Sequence, residues 1–244
     1  MAIYVTSDAH GHVRTLDEAL SKISLASDDT LYVLGDMIDR GPDPVGVIKL
    51  VRSLPNARVL KGNHEQIMLD AIIGQDPLDA ETWDINGGWT TRQQLNDMEF
   101  EAYEELVRWM ATLPLYAVAE TDERPYLLVH AGIQTEAARA FLFEHGVDCA
   151  DGTGAVDADR ELLKQMLAVQ SSDDLLWIRH GYWDAPTGLL SAEGKGPVVV
   201  SGHTPTVSLG RYCEVGGLAG LDEESGRGRI VRLGGEDTAG VPDR

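Results

Sequence analysis

The chain has 244 residues, 40 of them acidic and 20 basic, for a formal charge of −20. That balance excludes duplex nucleic acid as a partner, because backbone affinity rests on Lys and Arg neutralising phosphates over a broad basic surface. A chain of this length buries roughly 70 to 75% of its extended surface without a disulfide framework, and no apolar run approaches the roughly 18 residues of a membrane span.

In chain order, an apolar run at 3–6 predicts a strand. Leu16, Leu20 and Ile23 at helical spacing predict a helix over 13–24, and 30–34 is again an apolar strand. A proline opens a helix over 44–54, and a third strand follows at 58–60. This β-α-β-α-β alternation implies parallel strands joined by right-handed crossovers. Helices are expected over 64–73, 89–97 and 101–112, with 74–88 a loop overhanging the ends of the strands.

The second half predicts strands at 116–119, 126–130, 198–201, 211–215 and 229–233, with helices near 135–144 and 159–169. A second sheet packed on the first follows. The segment 146–159, rich in Gly and Asp, reads as a surface insertion. One domain over 1–234 and a frayed tail over 235–244 complete the organisation.

Five short blocks place chemistry at the ends of predicted strands: SDAHG at 7–11, GDMIDRG at 35–41, GNHE at 62–65, VHAG at 129–132 and SGHT at 201–204. Five of the seven histidines, His10, His12, His64, His130 and His203, lie in or beside them. In parallel sheets the loops beyond the carboxyl ends of the strands form the ligand crevice, so separated blocks converge.

Mixed carboxylate, imidazole and amide ligands suit divalent metals, and an ion pair about 3.5 to 4 Å apart needs a carboxylate that touches both. Asp36 is the bridging candidate. Asp8 and His10 can reach one ion, and Asn63, His130 and His203 can complete the second. Arg40 offers a planar fork to phosphate oxygens. His64 can protonate a leaving oxygen, with Asp39 holding its tautomer and stabilising the imidazolium.

These blocks resemble the metallophosphoesterases of the phosphoprotein phosphatase (calcineurin-like) type, whose ordered pattern is GD-x-HG, GD-x-x-DRG, GNHE, H-[AG]-G and GHT. The resemblance runs from Ser7 to Thr204, with Ser7 where many members have glycine. It implies an α/β fold of two mixed sheets packed as a sandwich and flanked by helices, with metal-site loops at strand carboxyl ends. It also implies Asp8, His10, Asp36, Asn63, His130 and His203 as metal ligands, His64 and Asp39 as the acid pair, and Arg40 and Asn63 at the phosphate. LLWIR at 175–179 resembles a segment of the bacterial members that supplies a second phosphate-binding arginine, here Arg179. NGG at 86–88 and GNHEQ at 62–66 are similar to the small bacterial and phage serine/threonine protein phosphatases, and VHAGI at 129–133 to the symmetrical diadenosine tetraphosphatases.

The expected function is therefore hydrolysis of phosphoserine and phosphothreonine in proteins, by in-line attack of a hydroxide bridging two metal ions. The alternative is the same machinery acting on a pyrophosphate bond of a symmetrical dinucleoside tetraphosphate (Ap4A). Resemblance to the bacterial enzymes points to two manganese ions, with Fe, Zn or Co also suited to these ligands. An inactive scaffold would retain the fold without the chemistry, and the complete ligand set argues against it.

The start, MAIYVTSDAHG, has no basic region and carries Asp8, so a secretory or transit leader is not expected. Cys149 and Cys213 have no metal or redox spacing and read as small buried or incidental thiols in a reducing cytoplasm. His145 and His180 read as core or surface residues, His12 as a helix start in preference to a residue behind the metal ligands, and Arg92 as a helix-surface residue in preference to one reaching the site from the loop after Gly88. Trp83, Trp89, Trp109, Trp177 and Trp183 read as packing residues, with Trp83 and Trp89 near enough to the 74–88 segment to touch substrate. Glu99, Glu101, Glu104, Glu105, Asp222, Glu223 and Glu224 read as solvated surface.

Overall fold

In the computed structural model, which describes residues 1–74, 76–149, 153–179, 186–205, 214–215, 218–220 and 230–234, two mixed sheets pack face to face between helical layers. β1 (Ile3–Thr6), β2 (Thr30–Val33) and β3 (Ala57–Val59) pair in parallel, and β9 (Val231–Leu233) lies antiparallel beside β1, giving the order β3-β2-β1-β9. The second sheet contains β4 (Tyr116–Glu120), β5 (Pro125–Val129), β6 (Val198–Ser201), β7 (Glu214–Val215) and β8 (Leu218–Gly220), in the order β4-β5-β6-β8-β7. Its central pairs β5·β6 and β6·β8 are parallel, and its outer pairs are antiparallel.

The period of two along a strand explains the sandwich. Leu31 and Val33 face one way, into a cluster with helical side chains, while Tyr32 and Leu34 face the other sheet. In β5, Leu127 and Val129 join the outer helices and Tyr126 and Leu128 the inter-sheet core. Both faces of each sheet are thus covered, and nearly continuous apolar strands result.

The first outer layer contains α1 (Val13–Lys22) and α2 (Pro44–Ser53), the two crossovers. Asp43 caps α2 by accepting from Gly46 N at 2.9 Å, with Pro44 in the first turn. The connection from β3 to β4 contains α3 (Asn63–Ile73), α4 (Pro77–Ile85), α5 (Trp89–Asn96) and α6 (Phe100–Ala111). On the other sheet lie α7 (Thr135–Glu144), α8 (Arg160–Ala168) and α9 (Ser172–Trp177).

Three expectations need correction. Segment 74–88 is mostly the helix α4, because Asp76 accepts from Leu78 N at 2.9 Å and Pro77 presets the first turn. Segment 146–159 is not a simple surface insertion: Val147, Cys149, Ala155 and Ala158 pack into the core against α7 and α8. Finally, α9 occupies 172–177, where no element was expected, nucleated by Ser171 accepting from Asp174 N. The anticipated strands at 211–215 and 229–233 are described only at Glu214–Val215 and Val231–Leu233. Cys213, His180, Trp183, the acidic cluster Asp222, Glu223 and Glu224, and the tail 235–244 lie outside the described residues. Among the described residues, no helix is long and apolar enough to cross a membrane.

Candidate metal centre and active site

All five blocks follow strands at one edge of the sandwich: Asp8 and His10 after β1, Asp36 after β2, Asn63 after β3, His130 after β5 and His203 after β6. Two backbone features allow these loops to crowd together. Gly35 has φ of 92°, and a side chain there would put a Cβ 2.3 Å from Gly62 N, so the loops after β2 and β3 meet through glycine. Glu65 then ties them, because its buried carboxylate accepts from Asp36 N, Met37 N and Gly62 N, each at 2.8 Å.

Among the described residues, the non-glycine residues with positive φ are Asp8, His10, Asp36, Asp39, Arg40 and His203. The left-handed region disfavours L-residues, and such strain gathers where side chains must be aimed. Each of the six is a residue to which the motifs attach chemistry, and each is turned toward the same crevice.

Asp36 lies between two ligand groups. Its Oδ2 is 3.5 Å from His10 Nε2 and 3.9 Å from His64 Nε2, while Oδ1 is 3.4 Å from His130 Nε2. The clusters His10–Asp36–His64 and Asp36–His130–His203 each bring potential ligand atoms together, and Asp36 is common to both. Asp8 accepts from His203 N at 3.2 and 3.0 Å through its two oxygens and stands 4.0 Å from His10 Nε2.

The tautomers follow from fixed acceptors. His10 Nδ1 lies 2.8 Å from Ile38 O and His130 Nδ1 2.7 Å from Leu34 O. A carbonyl can only accept, so both Nδ1 atoms carry the hydrogen and both Nε2 atoms present lone pairs to the crevice. Yet His130 Nε2 faces Asn63 Oδ1 at 2.8 Å, and His203 Nδ1 faces the same oxygen at 3.0 Å.

Burial holds these imidazoles neutral. His10 is pushed down to about 3 by desolvation and by the nearby His64 and Arg40. His130 and His203 are likewise lowered, chiefly by burial. Asp36, by contrast, is raised well above the usual carboxylate range by burial and by the charges of Asp8 and Glu65. Neutral imidazoles, an amide oxygen and buried carboxylates form a donor set short of positive charge. A pair of divalent cations supplies that charge, so the residues present fit the metals.

Arg40 spans the mouth of this group, with Nη1 2.9 Å from His10 Nε2 and Nη2 2.7 Å from His64 Nε2. Arg179 also reaches this group, its Nη2 3.4 Å from His203 Nδ1. His64 donates from Nδ1 to Asp39 Oδ2 at 2.7 Å. Burial pushes the Asp39 carboxyl up to about 6 against the hydrogen bonds from Thr91 and Trp83, and burial with Arg40, His130 and Arg179 drives His64 down to about 2. His64 is therefore a neutral imidazole whose Nε2 accepts from Arg40.

The structure brings together every residue that the sequence reading assigned to chemistry. Several others gained no role from the sequence. Glu65 organises two loops, and its signal was the capping pattern of a Glu three residues after Gly62. Thr91 and Trp83 bond Asp39, and no local pattern marks them. His12 starts α1 as expected, its Nδ1 2.7 Å from His10 O. His145 is an exposed C-cap stacked on Phe141. Arg92 pairs with Asp84 at 2.8 Å and covers the Trp83 ring at 5.0 Å, away from the metal ligands. Trp89 is 61% exposed and Trp177 40% exposed, the latter 6.1 Å from the His203 ring, so neither is ordinary packing.

Comparisons with known proteins bear on the family and the fold. The symmetrical bis(5'-nucleosyl)-tetraphosphatase of Proteus mirabilis is 29% identical over 222 residues, covering 87% of this chain and 68% of that protein. The corresponding protein of Erwinia tasmaniensis is 32% identical over 136 residues, 54% of this chain and 45% of its own length. This alignment therefore spans less than half of the Erwinia relative. A crystal structure of a candidate diadenosine tetraphosphatase superposes with a TM-score of 0.54 at 19% identity, over 96% of this chain and 89% of that one. A serine/threonine phosphatase from Saccharomyces cerevisiae gives 0.54 at 16% identity, over 96% and 72%. Both likenesses establish the fold alone. The family profile of the calcineurin-like phosphoesterases matches residues 1–227, and the chain belongs to that family.

Proposed function

We propose that the protein hydrolyses symmetrical dinucleoside tetraphosphates, splitting Ap4A and water into two molecules of ADP, with two divalent ions, supplied as manganese, in the cytoplasm. The observation that carries the reading is Asp36 between two imidazole groups, with Arg40 at His10 and His64 and Arg179 at His203. The substrate class is supported by the names of the Proteus and Erwinia relatives. This reverses the order expected from the motifs alone, which put phosphoproteins first.

In this reading Asp8, His10 and Asp36 would hold one ion, and Asp36, Asn63, His130 and His203 would hold the other. Bound there, the ions supply Lewis acidity toward phosphoryl oxygens and lower the pKa of water for attack at neutral pH. Arg40 swings from His10 and His64 to grip the phosphoryl group, which bares both Nε2 atoms. Arg179 supplies a second guanidinium to it. Burial is the main cause that keeps His64 neutral; removing the Arg40 guanidinium relieves the repulsion that adds to it, and the polyanionic substrate favours the imidazolium. His64 Nε2–H then donates to the departing oxygen while Asp39 holds Nδ1–H.

A second reading, a serine/threonine protein phosphatase, is favoured by NGG at 86–88 and by Arg179 in LLWIR. Initial rates on Ap4A and on phosphoserine and phosphothreonine peptides, with the same manganese-loaded protein, separate the two. Higher kcat/KM on Ap4A with ADP as product supports the proposal. A clear preference for phosphopeptides would replace it with the second reading.

A further inference from the structure

Asp39 and Arg40 are consecutive residues with φ of 69° and 65°. Two left-handed L-residues in succession need outside support. The α4–α5 unit supplies it at three points. Arg40 N donates to Gly87 O at 3.0 Å, between the two helices. Asp39 N donates to Thr91 Oγ1 at 2.9 Å, and the same hydroxyl donates to Asp39 Oδ1 at 2.6 Å, closing a ring. Trp83 Nε1 reaches both carboxylate oxygens, at 3.0 and 3.2 Å.

The allocation of donors matters. Thr91 holds Oδ1 and Trp83 Nε1 is shared between the two oxygens, nearer Oδ1, while Oδ2 is directed at His64 Nδ1, 2.7 Å away. Trp83 is itself held in place, since Arg92 covers its ring and Gly88 leaves room for it. A Cβ on Gly88 would lie 2.3 Å from Trp83 Cδ1 and Nε1. Thr91 is fully buried, and the indole is 3% exposed. Their polar atoms are spent on Asp39.

We infer that Trp83 and Thr91 are positioning residues for proton delivery: they fix the Asp39 carboxylate so that it sets the tautomer and direction of His64. The inference rests on the assignment of His64 and Asp39 as the acid pair. It adds to that pair a supporting unit from a part of the chain outside all five motif blocks.

The test compares leaving groups in the metal-loaded full chain. Departure of p-nitrophenolate needs little help from a proton, whereas departure of an alkoxide needs much. Thr91→Val, nearly isosteric, and Trp83→Phe should each lower kcat on glycerol phosphate by about 10-fold or more, within the range that proton donation supplies. On p-nitrophenyl phosphate the loss should stay under about 3-fold, with KM little changed on either. Thr91→Ser should restore the wild-type ratio. In proton NMR, the downfield signal of His64 Nδ1–H, identified by its loss in His64→Asn, should shift or exchange faster in Thr91→Val and Trp83→Phe, and persist in Thr91→Ser.

Equal loss on both substrates, or an unchanged imidazole signal in both variants, overturns the inference. Asp39→Asn separates it from the reading beneath it. If Asp39→Asn slows both substrates equally, the acid-pair assignment falls. The positioning claim is then decided by the imidazole signal alone.

Discussion

His130 Nε2 and Asn63 Oδ1 face each other at 2.8 Å as two acceptors, because the hydrogen of His130 is committed from Nδ1 to Leu34 O. Lone pairs at that distance repel unless a cation lies against both. His203 Nδ1 adds a third donor atom at 3.0 Å from the same amide oxygen. The relationship makes Asn63 the most sensitive probe of metal binding. Asn63→Ala should weaken manganese binding and lower kcat/KM by at least about 100-fold, in line with the loss of a transition-state contact. Titration calorimetry and kinetics on the same preparations check both effects.

Metal removal should destabilise the fold as well as abolish turnover. A ligand bound only by the native state at 100 times its Kd stabilises by about 2.7 kcal/mol. Chelation should therefore lower Tm, and added Mn²⁺ should restore both Tm and activity. Calorimetric scans before and after chelation measure it, and an unchanged Tm would contradict the placement of ions among buried ligands.

Metal uptake should depend on pH through Asp36 rather than through the histidines. His10 lies near 3 and His130 and His203 are lowered, so these imidazoles are already unprotonated at neutral pH. Asp36 is raised, so in the metal-free protein its carboxyl holds a proton to higher pH than an ordinary aspartate. An ion prefers the carboxylate and expels that proton, so affinity falls as pH drops through the raised value. Calorimetry in buffers of different ionisation enthalpy should show proton release that disappears in Asp36→Asn.

Arg40→Lys should not be conservative. The guanidinium reaches His10 and His64 with two separate nitrogens, and a lysine ammonium cannot reproduce that planar fork. A fall in kcat/KM of about 100-fold is expected, as for removal of a single oxyanion donor. Metal content, measured by elemental analysis, should stay unchanged.

Glu65→Ala should destabilise the protein, because the Glu65 carboxylate accepts from backbone N–H groups of both site loops. The substitution leaves the buried N–H groups of Asp36, Met37 and Gly62 without their acceptor. Each buried unsatisfied donor costs about 1 to 3 kcal/mol, so a loss of roughly 3 kcal/mol or more is expected. Urea denaturation of the two proteins checks it.

What the sequence made legible and what it hid divide along physical lines. Val, Leu and Ile runs ending in Gly, Asp or His fixed the strands and brought Asp8, Asp36, Asn63, His130 and His203 to one edge, because loops after parallel strands converge. Such patterns are local. The support for Asp39 is not: Thr91 lies 52 residues away and Trp83 44 away, and neither stands in a pattern that names its partner. Segment 74–88 misled for a related reason, since Gly and Pro read as loop while Asp76 and Pro77 in fact begin a helix. The core role of Val147, Cys149, Ala155 and Ala158 was masked by the Gly and Asp around them. Substrate identity is hidden because the motif residues handle the phosphoryl group, which Ap4A and phosphoproteins share.

The most direct measurement is hydrolysis of Ap4A in ¹⁸O-labelled water by protein of known manganese content, with the products resolved by mass spectrometry. A dimetal phosphoesterase acting symmetrically on this substrate gives ADP as the sole nucleotide product, ¹⁸O in one of each pair of ADP molecules, and no turnover after chelation until Mn²⁺ is returned. Formation of ATP with AMP, an ADP pool that carries no ¹⁸O at all, or turnover that survives complete removal of metal would contradict it.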